Sequence, residues 1–95
     1  MLEFSKENRF VEVIVPLPLE GCFTYSIPDT IEQIPKPGCR VEIEFGKRRH
    51  YSAIVRRTVN SPVVKNIKPI IQVLDQEPIV TENQLEFWDW MSRYY

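Results

Sequence analysis

Ninety-five residues, 43% hydrophobic and 26% charged, suit one small globular domain and exclude a disordered chain, which would be poorer in apolar side chains. No apolar run approaches the roughly 20 residues that span a bilayer and no signal-peptide core opens the chain, so the expected location is cytoplasmic, away from membranes. The formal net charge of −1 averages three unlike segments: residues 1–39 carry three basic and six acidic side chains, residues 40–68 eight and two, and residues 69–95 one and five.

The basic middle matters more than the average, because the local field decides where an anion docks. Residues 1–9 show no period. FVEVIV (10–15) is β-branched and nearly continuous, as in a strand that is central in its sheet. Pro16 and Pro18 then interrupt the ladder, having no amide to donate. CFTYSI (22–27) reads as a second strand, with Phe23, Tyr25 and Ile27 on one face and Cys22, Thr24 and Ser26 on the other. Pro28-Asp29 and Pro35-Lys36-Pro37-Gly38 are turn signals.

CRVEIEF (39–45) alternates strictly, turning Cys39, Val41, Ile43 and Phe45 inward and Arg40, Glu42 and Glu44 outward. Gly46-Lys47-Arg48-Arg49 forms a charged turn, and YSAIV (51–55) returns as the partner strand of a hairpin. TVNSP (58–62) reads as a loop. IKPIIQVLD (67–75) offers a last short strand, which Pro69 pushes toward a sheet edge or a bulge.

From Thr81 the period changes. Thr81 and Gln84 fit a capping box, flanked by Val80 and Leu85 in the positions of a hydrophobic staple. Leu85, Trp88, Met91 and Tyr95 form one helical stripe, with Phe87, Trp90 and Tyr94 beside it. No C-cap signal closes the pattern, so a fragment of a longer protein is expected. The predicted fold class is α+β and mostly β: a barrel-like or strongly bent sheet of about five strands, then a C-terminal helix. One domain covers 1–95, with a β-rich module at 1–79 and the start of a helical appendage at 80–95.

Catalytic signatures are lacking. There is no phosphate-binding GxxxxGK[ST] loop, no GxSxG, no HExxH, and His50 is the single histidine. Cys22 and Cys39 with one histidine do not make a four-ligand zinc site, and both read as small buried hydrophobes. Two features carry other chemistry. GKRRH (46–50), supported by Arg56, Arg57, Lys65 and Lys68, is either an ordinary solvated turn or a set of phosphate contacts through Lys47, Arg48, Arg49 and Lys65. Phe23 and Tyr25 are either core or a wall on which a base stacks. The helix aromatics are core or contacts to another domain.

Taken together, VEVIVPLPLEGCFTYSIPD, PGCRVEIEFGKRR and NIKPIIQVLDQEPIVTENQLEFWDWMSRYY resemble, in order and spacing, the N-terminal region of the PriA family (primosomal protein N′), the bacterial replication-restart helicases. The likeness runs from Phe10 or Val11 to Tyr95. It implies a β-rich DNA-binding module that holds the 3′ end of the nascent leading strand at a stalled or abandoned fork. By position it carries over Phe23, Thr24 and Tyr25 as the pocket strand, Gly46 as a point of close backbone approach, and Lys68 as the pocket cation. Family members often carry an Asp between the two aromatics. Thr24 stands there in this chain, with one donor and weaker acceptors, which shifts the expected base contact toward the backbone.

The resemblance also implies that ATP, magnesium and zinc serve helicase domains outside these residues, that this module needs no cofactor, and that it is not itself an enzyme. The implied partners are fork DNA, the remaining helicase domains, single-stranded DNA-binding protein and primosome components. A competing reading is a protein-interaction module that docks on a partner domain through Trp88, Trp90 and Tyr94.

Overall fold

The computed structural model describes residues 9–17, 21–60 and 66–92. Five strands, β1 (Phe10–Ile14), β2 (Phe23–Ser26), β3 (Arg40–Glu44), β4 (His50–Val59) and β5 (Gln72–Val73), precede one helix, α1 (Glu82–Ser92). The strands form a single antiparallel sheet in the order β2-β1-β4-β3-β5. The class is mostly β, α+β, as the alternation and the late helical period predict.

The sheet is bent but not closed into a barrel of strands. Its two edges are instead linked by the segment leading into β5. Ser26 on β2 donates its amide to the Lys68 carbonyl and accepts from the Ile70 amide, both at 2.9 Å. On the other edge, Ile71 donates to the Glu42 carbonyl at 2.8 Å and Leu74 to that of Arg40 at 2.9 Å. Pro69 sits in a one-residue parallel bridge with Ser26, where its missing amide costs no ladder bond.

Alternation decides which side chains fill the concave face. Val11 and Val13 of β1, Val41 and Ile43 of β3, and Ala53 and Val55 of β4 are fully buried, joined by Tyr25, Ile27 and Ile70. Burying each of these aliphatic side chains larger than Ala contributes about 1.5–3 kcal/mol, so the inner strands β1, β4 and β3 hold most of the fold. Arg9 closes the open end: its guanidinium donates to the carbonyls of Pro28 and of Ile31 (2.9 Å for the latter), fixing the turn after β2.

Two expectations need correction. Thr58 and Val59, expected in a loop, extend β4, because they lie opposite Val11 and Phe10 of the central strand β1; residues 61 and 62 lie outside the described residues. Arg56, expected in an outward basic cluster, is buried at 9% exposure. Glu12 pairs with Arg57 and Val13 with Val55, so Arg56 is the extra residue of a β-bulge. A bulge breaks the alternation and re-aims a side chain. Here it sends Arg56 beneath α1, where it bonds Asp89 and Glu82.

The helix begins as its capping signals require. Gln84 donates its amide to the Thr81 hydroxyl at 3.1 Å, and the Gln84 side chain accepts the Thr81 amide at 2.8 Å. Leu85 is buried, whereas Phe87 and Trp90 stack on each other, centroids 5.9 Å apart, and stand more than half exposed. They are therefore not core of the described residues. Tyr94 and Tyr95 lie outside them.

Candidate nucleic-acid interface

A pocket of about 340 Å³ opens between β2, the end of β3 and the segment entering β5. Cys22, Phe23, Thr24, Tyr25, Glu44, Phe45, Gly46, Asn66, Ile67 and Lys68 line it. Its volume falls at the low end of the roughly 300–1,000 Å³ of small-ligand sites. Phe23, Thr24, Tyr25, Gly46 and Lys68, separated by up to 45 positions in sequence, thus share one cavity.

The wall is set by the sheet edge. Ser26 turns its amide and carbonyl outward to residues 68 and 70. Main-chain groups two residues apart on a strand point the same way, so those of Thr24 also face outward. The bridging segment has by then diverged: Asn66 takes the left-handed conformation (φ 60°) that Asn tolerates better than most residues. Thr24 consequently presents a main-chain donor and acceptor to the pocket, with no partner among the described residues.

Phe23 and Tyr25 both pack with the core and line the pocket. Phe23 is half-buried against the core and packs edge-on to Phe45, centroids 5.0 Å apart; Phe45 in turn meets Tyr51 at 6.5 Å. Tyr25 is buried, and its hydroxyl donates to the Glu44 carbonyl at 2.8 Å. Burial first, and then the Glu44 carboxylate, push the Tyr25 phenol above its ordinary pKa, so it stays a neutral donor. The rings form the floor and one side of the pocket rather than a detached stacking platform.

Gly46 has φ +75°, and the space a Cβ would enter is open. It begins the turn to β4, which the Phe45 amide closes on the Arg49 carbonyl at 2.8 Å. Lys47, Arg48 and Arg49 are exposed on this turn, and none has an ion-pair partner among the described residues. Lys68 is exposed on the opposite rim, its main chain pinned by Ser26. Lys65 lies outside the described residues. Arg57 is occupied by Glu12 at 2.5 Å, and His50 by Glu42 at 3.0 Å.

Sequence reasoning did not assign Cys22, Glu44, Phe45, Asn66 and Ile67 to the site. Asn66 could have been found, since a lone Asn before an extended segment is a turn signal. Glu44 could not, because its period-2 position made it an ordinary solvent-facing acid. Burial, followed by the Glu12 carboxylate, pushes the Cys22 thiol up, so it lines the pocket as an inert thiol. Among the described residues, no group of three or more His, Cys, Asp or Glu side chains could hold a metal, and no helix is long and apolar enough to cross a membrane.

Residues 12–95 match the family model described as the 3′ DNA-binding domain (3′BD). The chain is 30% identical over 89 residues to the replication restart protein PriA of Haemophilus influenzae, covering 92% of this chain and 12% of that protein. It is 31% identical over 88 residues to PriA of Bacillus subtilis, covering 88% of this chain and 11% of the relative. With PriA of Chlamydia pneumoniae it shares 25% identity over 95 residues, 99% of this chain and 12% of the relative. The chain therefore spans about an eighth of the length of these relatives. With nearly all of its strands and its helix inside the matched range, the chain belongs to the 3′ DNA-binding domain family of PriA.

Proposed function

We propose that this domain binds DNA in replication restart by capturing the 3′ terminus of the nascent leading strand at a stalled or abandoned fork, and so positions a restart helicase of which it is a part. The observation that carries the reading is the meeting of Phe23, Thr24, Tyr25, Gly46 and Lys68 around one pocket beside an exposed basic turn. Lys47, Arg48 and Arg49 attract the phosphates behind the terminus, and Lys68 neutralises charge at the far rim. The terminal base lies against the aromatic side of the pocket. The Thr24 amide and carbonyl offer it one donor and one acceptor. Every base carries both kinds of group on its edge, so this contact tolerates any base.

In this reading the domain is a binding module without catalysis or cofactor of its own. ATP, magnesium and zinc belong to helicase domains elsewhere in the protein. Its partners are fork DNA, those domains, single-stranded DNA-binding protein and primosome components, in the cytoplasm. The test is a binding titration with three forks: a nascent leading strand ending at the junction, no nascent strand, and a strand running continuously through it. Preference for the first is expected, and equal affinity for all three overturns end capture.

One observation favours a second reading. The exposed Phe87–Trp90 stack on α1 suits a protein-interaction module docking on a partner domain. The two readings separate by salt: phosphate contacts to a single strand lower log K by about 0.7 per contact per decade of salt, whereas aromatic docking lacks that slope.

A further inference from the structure

Left-handed backbone gathers around the pocket. Gly21 (φ 80°) precedes Cys22, Gly46 (φ 75°) and Asn66 (φ 60°) line the cavity, and Arg48 (φ 62°) stands two residues beyond Gly46. Glycine has no Cβ to clash in this region and Asn tolerates it, whereas a long side chain such as Arg seldom adopts it. Arg48 occupies the turn that the Phe45 amide closes on the Arg49 carbonyl, and glycine ordinarily supplies the left-handed residues of so short a hairpin turn. Nothing in the fold holds the Arg48 side chain there. It is exposed and makes no hydrogen bond or ion pair among the described residues. The described arginines outside this turn all meet an acid: Arg9 meets Asp29, Arg40 meets Asp75, Arg56 meets Asp89 and Glu82, and Arg57 meets Glu12.

We propose that Arg48 is the phosphate anchor of the basic turn, gripping one backbone phosphate of the bound strand with two parallel N–H groups and held at a strained position for that contact; the inference rests on the DNA-binding reading above. Strain that no contact within the fold offsets marks a functional position. A guanidinium matches two phosphate oxygens with a fixed fork of donors, which a lysine ammonium, a point charge, does not reproduce. The turn leaves the pocket at Gly46, so a strand that enters the pocket passes the turn with its backbone. Lys47 and Arg49, which share the turn without positive φ, add to the local field that draws the strand in. Arg48 thus fixes the strand, and its neighbours attract it.

The test sets thermal unfolding beside fork binding at several salt concentrations, for the native protein, R48G, R48K, K47A and R49A. Two forks are used, one whose nascent strand ends at the junction and one without a nascent strand. R48G relieves the strain and should melt about 2–5 °C above the native protein, the left-handed cost less the added freedom of glycine in the unfolded chain. It should nevertheless bind the first fork about tenfold more weakly, with the dependence of log K on log salt flattened by ~0.7. R48K keeps the strain and the charge but loses the fork of donors, so it should melt with the native protein and bind at least about threefold more weakly. K47A and R49A should each stay within about threefold of native affinity. Native affinity in R48G or in R48K, a lower melting temperature in R48G, or an R49A loss equal to that of R48G overturns the anchor. Equal affinity of the native protein for the two forks would instead overturn end capture, and the R48G comparison would still decide for or against Arg48.

Discussion

Arg56 on β4 and Asp89 on α1 form a two-pronged pair, with Nε of the arginine at 2.9 and 3.1 Å from the two carboxylate oxygens and Nη2 closing the second prong. Nη1 reaches Glu82 at 3.1 Å, so one guanidinium grips the helix in two places about two turns apart. Leu85 is the one apolar side chain of α1 that is fully buried. The helix is thus tied to the sheet by this ion pair as well as by Leu85. Asp89→Asn should cost about 1.5–3 kcal/mol, the range for hydrogen bonds to a charged group. Urea unfolding would show it as a lower midpoint at unchanged slope. DNA affinity should not move, because Arg56 faces the helix and not the pocket; a loss of affinity at full stability would return Arg56 to the DNA surface.

Tyr25 separates packing from hydrogen bonding in the pocket floor. Tyr25→Phe keeps the ring among Val11, Ile27 and Ile70 and removes only the bond to the Glu44 carbonyl. The expected loss is about 0.5–1.5 kcal/mol of stability, the net worth of a neutral hydrogen bond. Tyr25→Ala, which empties the floor, should cost about 3–5 kcal/mol by analogy with aromatic truncation in cores. Thermal unfolding of the two variants checks the order.

Much of this was legible from periodicity. Cys39, Val41 and Ile43 alternate inward as β3 requires, and Thr81 with Gln84 caps α1 as the spacing dictates. Both patterns are local, set by neighbours two to four residues apart. The misreadings were non-local. Arg56 looked like the partner of Arg57 in a basic patch until a bulge opposite Glu12 and Val13 turned it under the helix. Thr58 and Val59 look polar enough for a loop, but the length of β1 opposite them keeps them paired. The pocket is intermediate. Its residues could be carried over from a family likeness, yet the outward Thr24 backbone has no partner among the described residues because β2 is an edge strand whose bridging neighbour leaves at Asn66.

Acid should loosen the β5 edge first. The side-chain hydrogen bonds from Arg40 are the main cause that holds the Asp75 carboxyl below its ordinary value of 3.8, and the Arg40 amide adds to it. A carboxyl depressed in the folded state binds fewer protons there than in the unfolded chain. Its contribution is therefore complete above the unfolded pKa and is lost as pH falls through the lower folded one. Amide exchange at Leu74, which donates to the Arg40 carbonyl, should speed up below about pH 4 relative to Val13 in the sheet centre. Asp75→Asn should show the faster exchange already at neutral pH. Equal acid sensitivity of both amides would mean that the sheet opens as one unit.

Glycines 38 and 46 both have positive φ, but only one has room. At Gly38 (φ +94°) a Cβ would collide with the Val80 carbonyl oxygen and come within 2.9 Å of the Pro78 Cβ. Gly38→Ala must therefore displace the strand-to-helix connection, and it should unfold the domain or lower its melting temperature severely. At Gly46 nothing lies within 4 Å, so Gly46→Ala pays only the left-handed backbone cost of about 1–2 kcal/mol. Its methyl group would be added at a residue that lines the pocket. Folded Gly46→Ala with weakened fork binding is the expected result; full affinity would show that no ligand approaches the main chain there.

Lys68 offers the sharpest separation of fold from binding. Its structural work is done by its main chain, whose carbonyl receives the Ser26 amide, while its side chain is exposed at the pocket rim. Lys68→Ala should leave the unfolding curve in place and weaken fork binding by about 1–2 kcal/mol, as for a charge-assisted contact. Loss of one phosphate contact should also flatten the dependence of log K on log salt by ~0.7. Arg57→Ala is the matched control, since Glu12 already occupies that guanidinium. It should change neither affinity nor salt slope. If Lys68→Ala lowers affinity only in proportion to a lost melting temperature, its side chain supports the segment entering β5, and the cation that meets the DNA must be sought among Lys47, Arg48 and Arg49.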